Sequence, residues 1–511
     1  MSENGEFCPL PGASLRAMSN PISPDLPDPR ICEQARLSRD ARFDGLFFTA
    51  VTSTGIYCRP VCPAPTPRKE NVRYFANPAA AEGAGFRPCL RCRPELAPGS
   101  DLLRRGDLLV TRALQLIDAG ELAESSLAAL AQRLALSDRQ LRRLFVERLG
   151  VGPLSVHTTR RLLFAKQLLS ETALPITQIA LASGFRSLRR FNDAFQTAYR
   201  LAPRDLRKRP RAAAGETLVL RLGYRPPYDF AALLDFLRTR ALPGLEVVDA
   251  TSYARAFGSV DAPGWLRVSA WGGGEHALRL ELHDAPPVQL LTLVSKVRRM
   301  FDLDADPHAI HIALSADPKL LSLLKRRPGL RLPGAWDGFE LAVRAVLGQQ
   351  ISVAAARTLA LRLLQRHGTA LPATLGAGLS ALFPTSATLT EADLDGLGIT
   401  GVRSRTLGGI AQALQDGRVD FRPERTLDDF VARWTALPGI GAWTAHYIAL
   451  RALSHPDAFP ADDLILRRAA ADADETLNAK ALTARAEAWR PWRGYAVMHL
   501  WRSSSDQQPK P

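Results

Sequence analysis

The stretch Leu437-Pro438-Gly439-Ile440-Gly441-Ala442-Trp443 lies between helical patterns at about 426–436 and 442–453. Gly439 and Gly441 allow positive φ and let backbone N–H groups turn toward a phosphate oxygen. A turn of this kind grips nucleic-acid backbone and carries no sequence information. Alone, it fits any tight helix–helix connection. Its weight comes from the residues downstream: Pro460-Ala461-Asp462-Asp463 opening a helix, then Trp489-Arg490-Pro491-Trp492-Arg493-Gly494-Tyr495-Ala496 running to His499-Leu500-Trp501. Viewed locally, Asp462 and Asp463 are good helix N-caps, and Trp443 and Tyr447, four apart on a helix, suit a core. Their joint appearance with the glycine turn points to chemistry instead. His446 and His499 read as structural.

Working outward, the chain carries Arg225-Pro226-Pro227-Tyr228-Asp229-Phe230, Pro328-Gly329-Leu330-Arg331-Leu332-Pro333-Gly334 and Val343-Arg344-Ala345-Val346-Leu347-Gly348-Gln349-Gln350. With the motifs above, residues 216–505 resemble the helix-hairpin-helix DNA glycosylases, in particular the AlkA-type 3-methyladenine DNA glycosylase II family. The resemblance implies that Asp463 is the catalytic carboxylate and that Trp443, Tyr447, Trp501 and Phe236 form a base pocket. It also implies that Gly439 and Gly441 hold the DNA backbone, and that Gln350 or Ile351 fills the gap left by a flipped nucleotide. Lyase-type relatives place a lysine soon after the hairpin where this chain has Trp443, so base removal without strand cleavage is expected. An alkylated purine is cationic while attached and leaves neutral, so the need is for a carboxylate to stabilise positive charge growing on the sugar and for aromatic faces to attract the cation. The nucleotide must first leave the stack. The alternation Leu218, Leu220, Leu222 and Leu278, Leu280, Leu282 within 216–287 predicts a small antiparallel sheet with helices.

The 511 residues suit three or four domains at roughly 100–200 residues each. Lys and Arg number 66 against 51 Asp and Glu, a formal charge of +15, which favours nucleic acid first and anionic membrane second. Apolar residues at 46% and charged residues at 23% are near globular averages, so wholesale disorder is excluded. No uncharged apolar run reaches the roughly 18 residues that span a bilayer, and the start lacks a basic stretch leading into an apolar one. The expectation is a cytoplasmic, nucleoid-associated protein that needs no membrane. The surplus charge is +2 over residues 1–100, +10 over 101–211 and +3 over 212–511. The middle segment should therefore grip phosphates most strongly.

In that segment Leu127, Leu130, Ala131 and Leu134 recur at helical spacing from Ser126. Ser137-Asp138-Arg139-Gln140 is a capping box opening a helix that buries Leu141, Leu144, Phe145 and Leu149 and exposes Arg139, Arg142 and Arg143. The pattern returns: Ile176, Ile179 and Ala180 on one helix, Gly184 in a turn, and Leu188, Phe191 and Phe195 on a helix starting near Ser187, with Arg186, Arg189 and Arg190 on its outer side. Two such units joined by a long helix at about 155–170 resemble the AraC-type DNA-binding domain. That resemblance implies two recognition helices in successive major-groove turns about 34 Å apart, with promoter DNA and RNA polymerase as partners.

All six cysteines (8, 32, 58, 62, 89, 92) fall in the first 92 residues. Cys58-x-x-x-Cys62 and Cys89-x-x-Cys92 suit one tetrahedral zinc ion; a purely structural zinc is the commoner case for such spacing. Thr54-Gly55-Ile56-Tyr57-Cys58-Arg59-Pro60, with Glu70-Asn71-Val72 and Gly85-Phe86-Arg87-Pro88-Cys89, resembles the Ada-type DNA phosphotriester methyl acceptor over residues 30–95. That implies Cys58 as nucleophile and ligand, with Cys62, Cys89 and Cys92 as ligands only. Four thiolates on zinc carry a charge of −2, and methylation of Cys58 would reduce it to −1 and ease approach to DNA. No further cysteine is present to take methyl groups from O6-methylguanine.

The expected architecture is multidomain and mostly α with α+β parts. An extended tail (1–29) leads to a zinc methyl-acceptor domain (30–100) and a double helix-turn-helix domain (101–211). A small antiparallel-sheet α+β domain (216–300) and an all-α helix-hairpin-helix glycosylase domain (301–505) complete the chain. Residues 97–100 and 209–215 read as linkers, and Met18 is a candidate start. The expected function is alkylation repair with transcription control by a monomer, acting on double-stranded DNA with alkylated purines or methyl phosphotriesters. Two rivals are a regulator whose glycosylase half is an inactive DNA clamp, and a zinc-stabilised DNA-binding protein without methyl transfer.

Overall fold

Leu218, Leu220 and Leu222 alternate with Val219 and Arg221, and Thr217–Gly223 accordingly forms an edge strand of a five-stranded antiparallel sheet. Next to it lies Ala277–His283, then Pro263–Ala270, Ser252–Gly258 and Glu246–Val248. The computed structural model describes residues 26–99, 108–118, 120–207, 217–372, 375–422, 424, 426–471 and 476–507. Helix Leu290–Met300 turns Leu290, Leu293, Val294, Val297 and Met300 inward. These residues join one buried cluster with the sheet's Leu220, Leu222, Leu278, Leu280 and Leu282. Phe191, Phe195 and Tyr199 of the second helix-turn-helix unit belong to that same cluster.

The helix-turn-helix segment obeys its caps. Ser126 caps Leu127–Arg133, Ser137 and Gln140 form the reciprocal capping box of Asp138–Leu149, and Ser187 caps Leu188–Tyr199. The joining helix, Pro153–Glu171, has twelve buried residues of nineteen, which makes it a central strut and not a surface connector. Two expectations shift in detail. Leu144 is only half-buried, and Leu188 in the first turn is 42% exposed, because the inward stripe of that helix runs through Phe191, Phe195 and Tyr199.

The N-terminal domain is a four-stranded sheet in the order Val72–Phe75, Phe48–Val51, Ile56–Cys58, Arg87–Pro88. Its helix Pro29–Ser38 begins one residue inside the stretch expected to be tail, because Asp28 caps it and Pro29 presets its first turn. Residues 1–25 of the expected tail and the 209–215 linker lie outside the described residues. The 97–100 linker is corrected over its described part. Pro98 is buried, the Gly99 N–H donates to Asp304 at 2.6 Å, and the Pro98 and Gly99 carbonyls accept from Arg225. Pro and Gly there mark irregular backbone that is nonetheless pinned.

Arg225 is the joint. Fully buried, it also donates to the carbonyls of Asp44 (2.8 Å), Asp304 (2.6 Å) and Ala305 (3.1 Å). A second joint is ionic: Lys166 of the long helix pairs with buried Glu95, and Arg93 bridges Glu95 and Glu171. The C-terminal helices, among them Gly338–Leu347, Gly401–Gln415, Leu427–Thr435, Ala442–Ala452 and Arg493–Gln507, surround a separate apolar core built on Trp434, Ile448, Trp489 and Leu500.

Candidate functional site

Asp463 is half-buried and caps Leu464–Ala470, its Oδ1 accepting from the Leu466 N–H at 2.8 Å. The capping role expected from sequence is therefore real, but it is one bond of three. The Trp443 indole N–H donates to Oδ2 at 3.0 Å and the Trp501 indole N–H to Oδ1 at 3.2 Å. Tyr447 lies flat on Trp443, with centroids 5.3 Å apart and planes at 7°, and tilts 51° against Trp501 at 6.2 Å. The structure thus brings Trp443, Tyr447, Trp501 and Asp463 together; Asp462 is exposed.

Phe236 is linked to this group through two cations. The Arg240 guanidinium sits 3.8 Å over its ring, and Arg451 lies 4.6 Å from it and 5.9 Å from the Tyr447 ring. Arg451 donates to the Tyr447 phenol at 3.1 Å. Burial pushes that phenol's pKa up, but Arg451 and then Arg240 pull it further down, and the net direction is down. Sequence reasoning missed both arginines, although each lies four residues after an aromatic it had chosen: Arg451 on the same helix face as Tyr447, Arg240 just beyond the end of the helix that carries Phe236. His446 and His499 are held neutral by burial, His499 being pushed down to about 4.

The glycine turn divides its labour. Gly439 has φ +86, and a Cβ there would stand 2.0 Å from Thr406 Oγ1. Gly441, by contrast, is the N-cap of Ala442–Ala452 with φ −90 and ψ 173, and a Cβ there meets nothing within 4 Å. The expectation that both glycines supply positive φ is corrected: an extended cap residue has no such need. Gln349 ties this turn to its neighbour, its amide donating at 3.0 Å to both the Gly439 carbonyl and Thr444 Oγ1, while Arg403 donates to the Gln349 carbonyl. The next two residues project from that staple. Gln350 is exposed with φ +58, and Ile351 is 36% exposed.

Arg139, Arg142, Arg143, Arg186, Arg189 and Arg190 are all exposed. Arg142 pairs with Asp138 (2.9 Å), Arg143 with Glu147 (3.6 Å) and Arg189 with Asp193 (4.0 Å). Such surface pairs are weak and easily exchanged for phosphate.

In the N-terminal domain, strand alternation turns Tyr57 inward and leaves Cys58 half-exposed. The Tyr57 phenol donates to Glu82 at 2.9 Å, and Thr159 of the long helix donates to the other Glu82 oxygen at 2.6 Å. The ligand sulfurs of Cys58, Cys62, Cys89 and Cys92 all lie within 4.8 Å of one another. Neighbouring sulfurs of a tetrahedral site with Zn–S near 2.3 Å stand about 3.8 Å apart, so the cluster fits one zinc ion. Backbone N–H groups of Arg59 and Arg91 donate to Cys92 and Cys89 sulfur at 3.3 Å, as suits thiolate acceptors. Arg59 is itself paired with Asp44.

Comparison with known proteins gives the same order of parts. Residues 31–95 match the metal binding domain of Ada, 130–209 a helix-turn-helix domain, 219–337 the AlkA N-terminal domain, and 343–493 the HhH-GPD superfamily of base excision DNA repair proteins. A zinc-binding domain, a helix-turn-helix regulator and a DNA glycosylase on one chain define a bifunctional transcriptional activator and DNA repair protein. A protein of Mycobacterium tuberculosis described as "Probable bifunctional transcriptional activator/DNA repair enzyme AlkA" is 40% identical over 485 residues, 92% of this chain and 95% of the relative. The chain belongs to that bifunctional activator/repair AlkA family. DNA-3-methyladenine glycosylase 2 of Escherichia coli is 33% identical over 55% of this chain and 95% of its own length. The bifunctional transcriptional activator/DNA repair enzyme Ada of the same organism is 42% identical over 24% of this chain and 32% of its own length.

Proposed function

We propose that the C-terminal half excises alkylated purines of the 3-methyladenine type from duplex DNA by hydrolysis, and that Cys58 accepts methyl groups from DNA phosphotriesters. The observation that carries the first reading is a half-buried carboxylate, Asp463, fixed against a cluster of three aromatic rings. As the bond from sugar to base breaks, its electron pair leaves with the neutral purine and positive charge develops on the sugar. A carboxylate about 4 Å away, at an effective dielectric near 20, contributes roughly 4 kcal/mol, about a thousandfold in rate. Gly439 and Gly441 present backbone to the DNA strand, and Gln350 or Ile351, projecting from the Gln349 staple, occupies the space of the flipped nucleotide.

In the second reading the Cys58 sulfur attacks the methyl carbon, the carbon–oxygen bond breaks, and its electron pair stays on the oxygen as a phosphodiester anion. Cys58, Cys62, Cys89 and Cys92 would hold the zinc ion, which when bound would keep their thiols deprotonated at neutral pH. Cys58 and Cys62 are half-exposed whereas Cys89 and Cys92 are buried, so exposure narrows the nucleophile to the first pair, and the Ada-like residues around Cys58 favour it over Cys62. The two helix-turn-helix units, through Arg139, Arg142, Arg143, Arg186, Arg189 and Arg190, bind promoter DNA, where RNA polymerase is the natural partner of an activator. One chain carries both units, so a monomer suffices, and a DNA substrate places it with the nucleoid in the cytoplasm.

Asp463→Asn separates chemistry from folding, because Asn caps helices as well as Asp does. We expect single-turnover release of methylpurines from methylated DNA to fall by about a thousandfold, while the protein keeps its fold by circular dichroism and a cooperative melting transition. Unchanged excision would leave the half as a DNA clamp. Peptide mass spectrometry after incubation with phosphotriester-bearing DNA should find S-methylcysteine at position 58; an unmodified Cys58 removes the second reading.

A further inference from the structure

Every partner of the Asp463 side chain among the described residues is a donor: the Leu466 N–H and the two indoles of Trp443 and Trp501. A carboxylate accepts at both oxygens, whereas an amide would turn its donor-only N–H₂ against one of these N–H groups. Capping explains only the Leu466 bond. The indoles arrive from two helices distant in sequence, Ala442–Ala452 and Arg493–Gln507, and take different oxygens. The plane of the carboxylate is thereby fixed from both sides. The donors are themselves fixed, Trp443 with one face covered by Tyr447 and Trp501 against the same tyrosine.

We infer that Trp443 and Trp501 are positioning residues, whose indole N–H groups hold the Asp463 carboxylate in one orientation, apart from any contact of their rings with a base. The inference rests on the proposed role of Asp463 as the carboxylate that stabilises charge on the sugar. Water could supply equivalent hydrogen bonds but would leave the carboxylate free to rotate; fixed donors need no rearrangement at the moment of reaction. A ring that served only as a wall would work equally well as phenylalanine.

The test is a set of variants in the full chain: Trp443→Phe, Trp501→Phe, Asp463→Asn and the pairwise combinations with Asp463→Asn. Single-turnover excision is measured on methylated duplex DNA at saturating protein, with DNA affinity measured separately. Each phenylalanine variant should lose about tenfold in the saturating rate, the worth of one hydrogen bond to a charged group, with DNA affinity unchanged. In the Asp463→Asn background the same replacements should cost nothing further. In ¹⁵N-tryptophan-labelled protein, the indole N–H resonances of Trp443 and Trp501 should move in Asp463→Asn, a readout that does not depend on residual activity. Unaltered rates in the phenylalanine variants, an undiminished loss in the Asn background, or unmoved indole resonances would each overturn the inference. Full activity of Asp463→Asn would take the proposed role of Asp463 down together with it.

Discussion

Gly439 and Gly441 sit two residues apart in one turn and tolerate change very differently. Gly439→Ala must strain a left-handed backbone, at about 1 kcal/mol, and drive a methyl group into Thr406, whose hydroxyl lies 2.0 Å from the Cβ position. Gly441→Ala adds a methyl to open space at an extended cap residue. We expect Gly439→Ala to weaken DNA binding about tenfold or more through a displaced turn and Gly441→Ala to retain affinity within about twofold; equal affinities in a binding titration would contradict this division. The motif was legible in the sequence, but the division was not, because it depends on Thr406, far upstream, and on which glycine begins the next helix. Asp463 was legible as either a cap or an acid. The indole bonds that add to the cap were not, since hydrogen-bond direction across two helices leaves no local trace.

The helices of the regulator show what local rules can and cannot reach. Ser137 with Gln140, and Ser187, announced helix starts that the structure reproduces as caps. The 3.6-residue period separated the inward Leu141, Phe145 and Leu149 from the outward arginines. What remained hidden was partnership between elements. Lys166 and Glu171 of the joining helix look like solvated charges in sequence, yet they pair with Glu95 and Arg93 of the zinc domain. Arg240 and Arg451 were likewise invisible as neighbours of Phe236. If the exposed faces of Asp138–Leu149 and Leu188–Tyr199 contact phosphates, Arg143→Ala and Arg190→Ala should each reduce the slope of log affinity against log salt by about 1. Salt titrations with unchanged slopes would remove those residues from the interface.

On the scale of the whole molecule, buried histidines make a prediction that spans the regulator and the repair half. His157 is held down to about 4 by burial and by Arg161 and Arg160, His455 to about 3 by burial and by Arg112 and Arg493, and His499 to about 4 chiefly by burial. Unfolded, each binds a proton near 6.5; folded, none does until the pH is far lower. The unfolded chain therefore takes up more protons as pH falls, and stability is lost between about 6.5 and 4. Calorimetry should show the melting temperature declining across that window, less steeply in His499→Leu; a flat profile would refute the assignment. The order of parts along the chain was legible because each part carries its own motif. Their docking was not. Residues 97–99 have the composition of a free linker, and it takes Arg225, 126 positions beyond Gly99, to reveal that the Pro98 and Gly99 carbonyls are bound.

One consequence of this arrangement concerns the reagents that damage DNA. Beyond residue 92 the only sulfur atoms are those of Met300 and Met498, and these side chains are 2% and 4% exposed. A soft electrophile reaching the protein thus meets nucleophilic sulfur at one end of the molecule alone, where its capture is the chemistry proposed for Cys58. Among its described residues the excision machinery offers alkylating reagents no exposed sulfur.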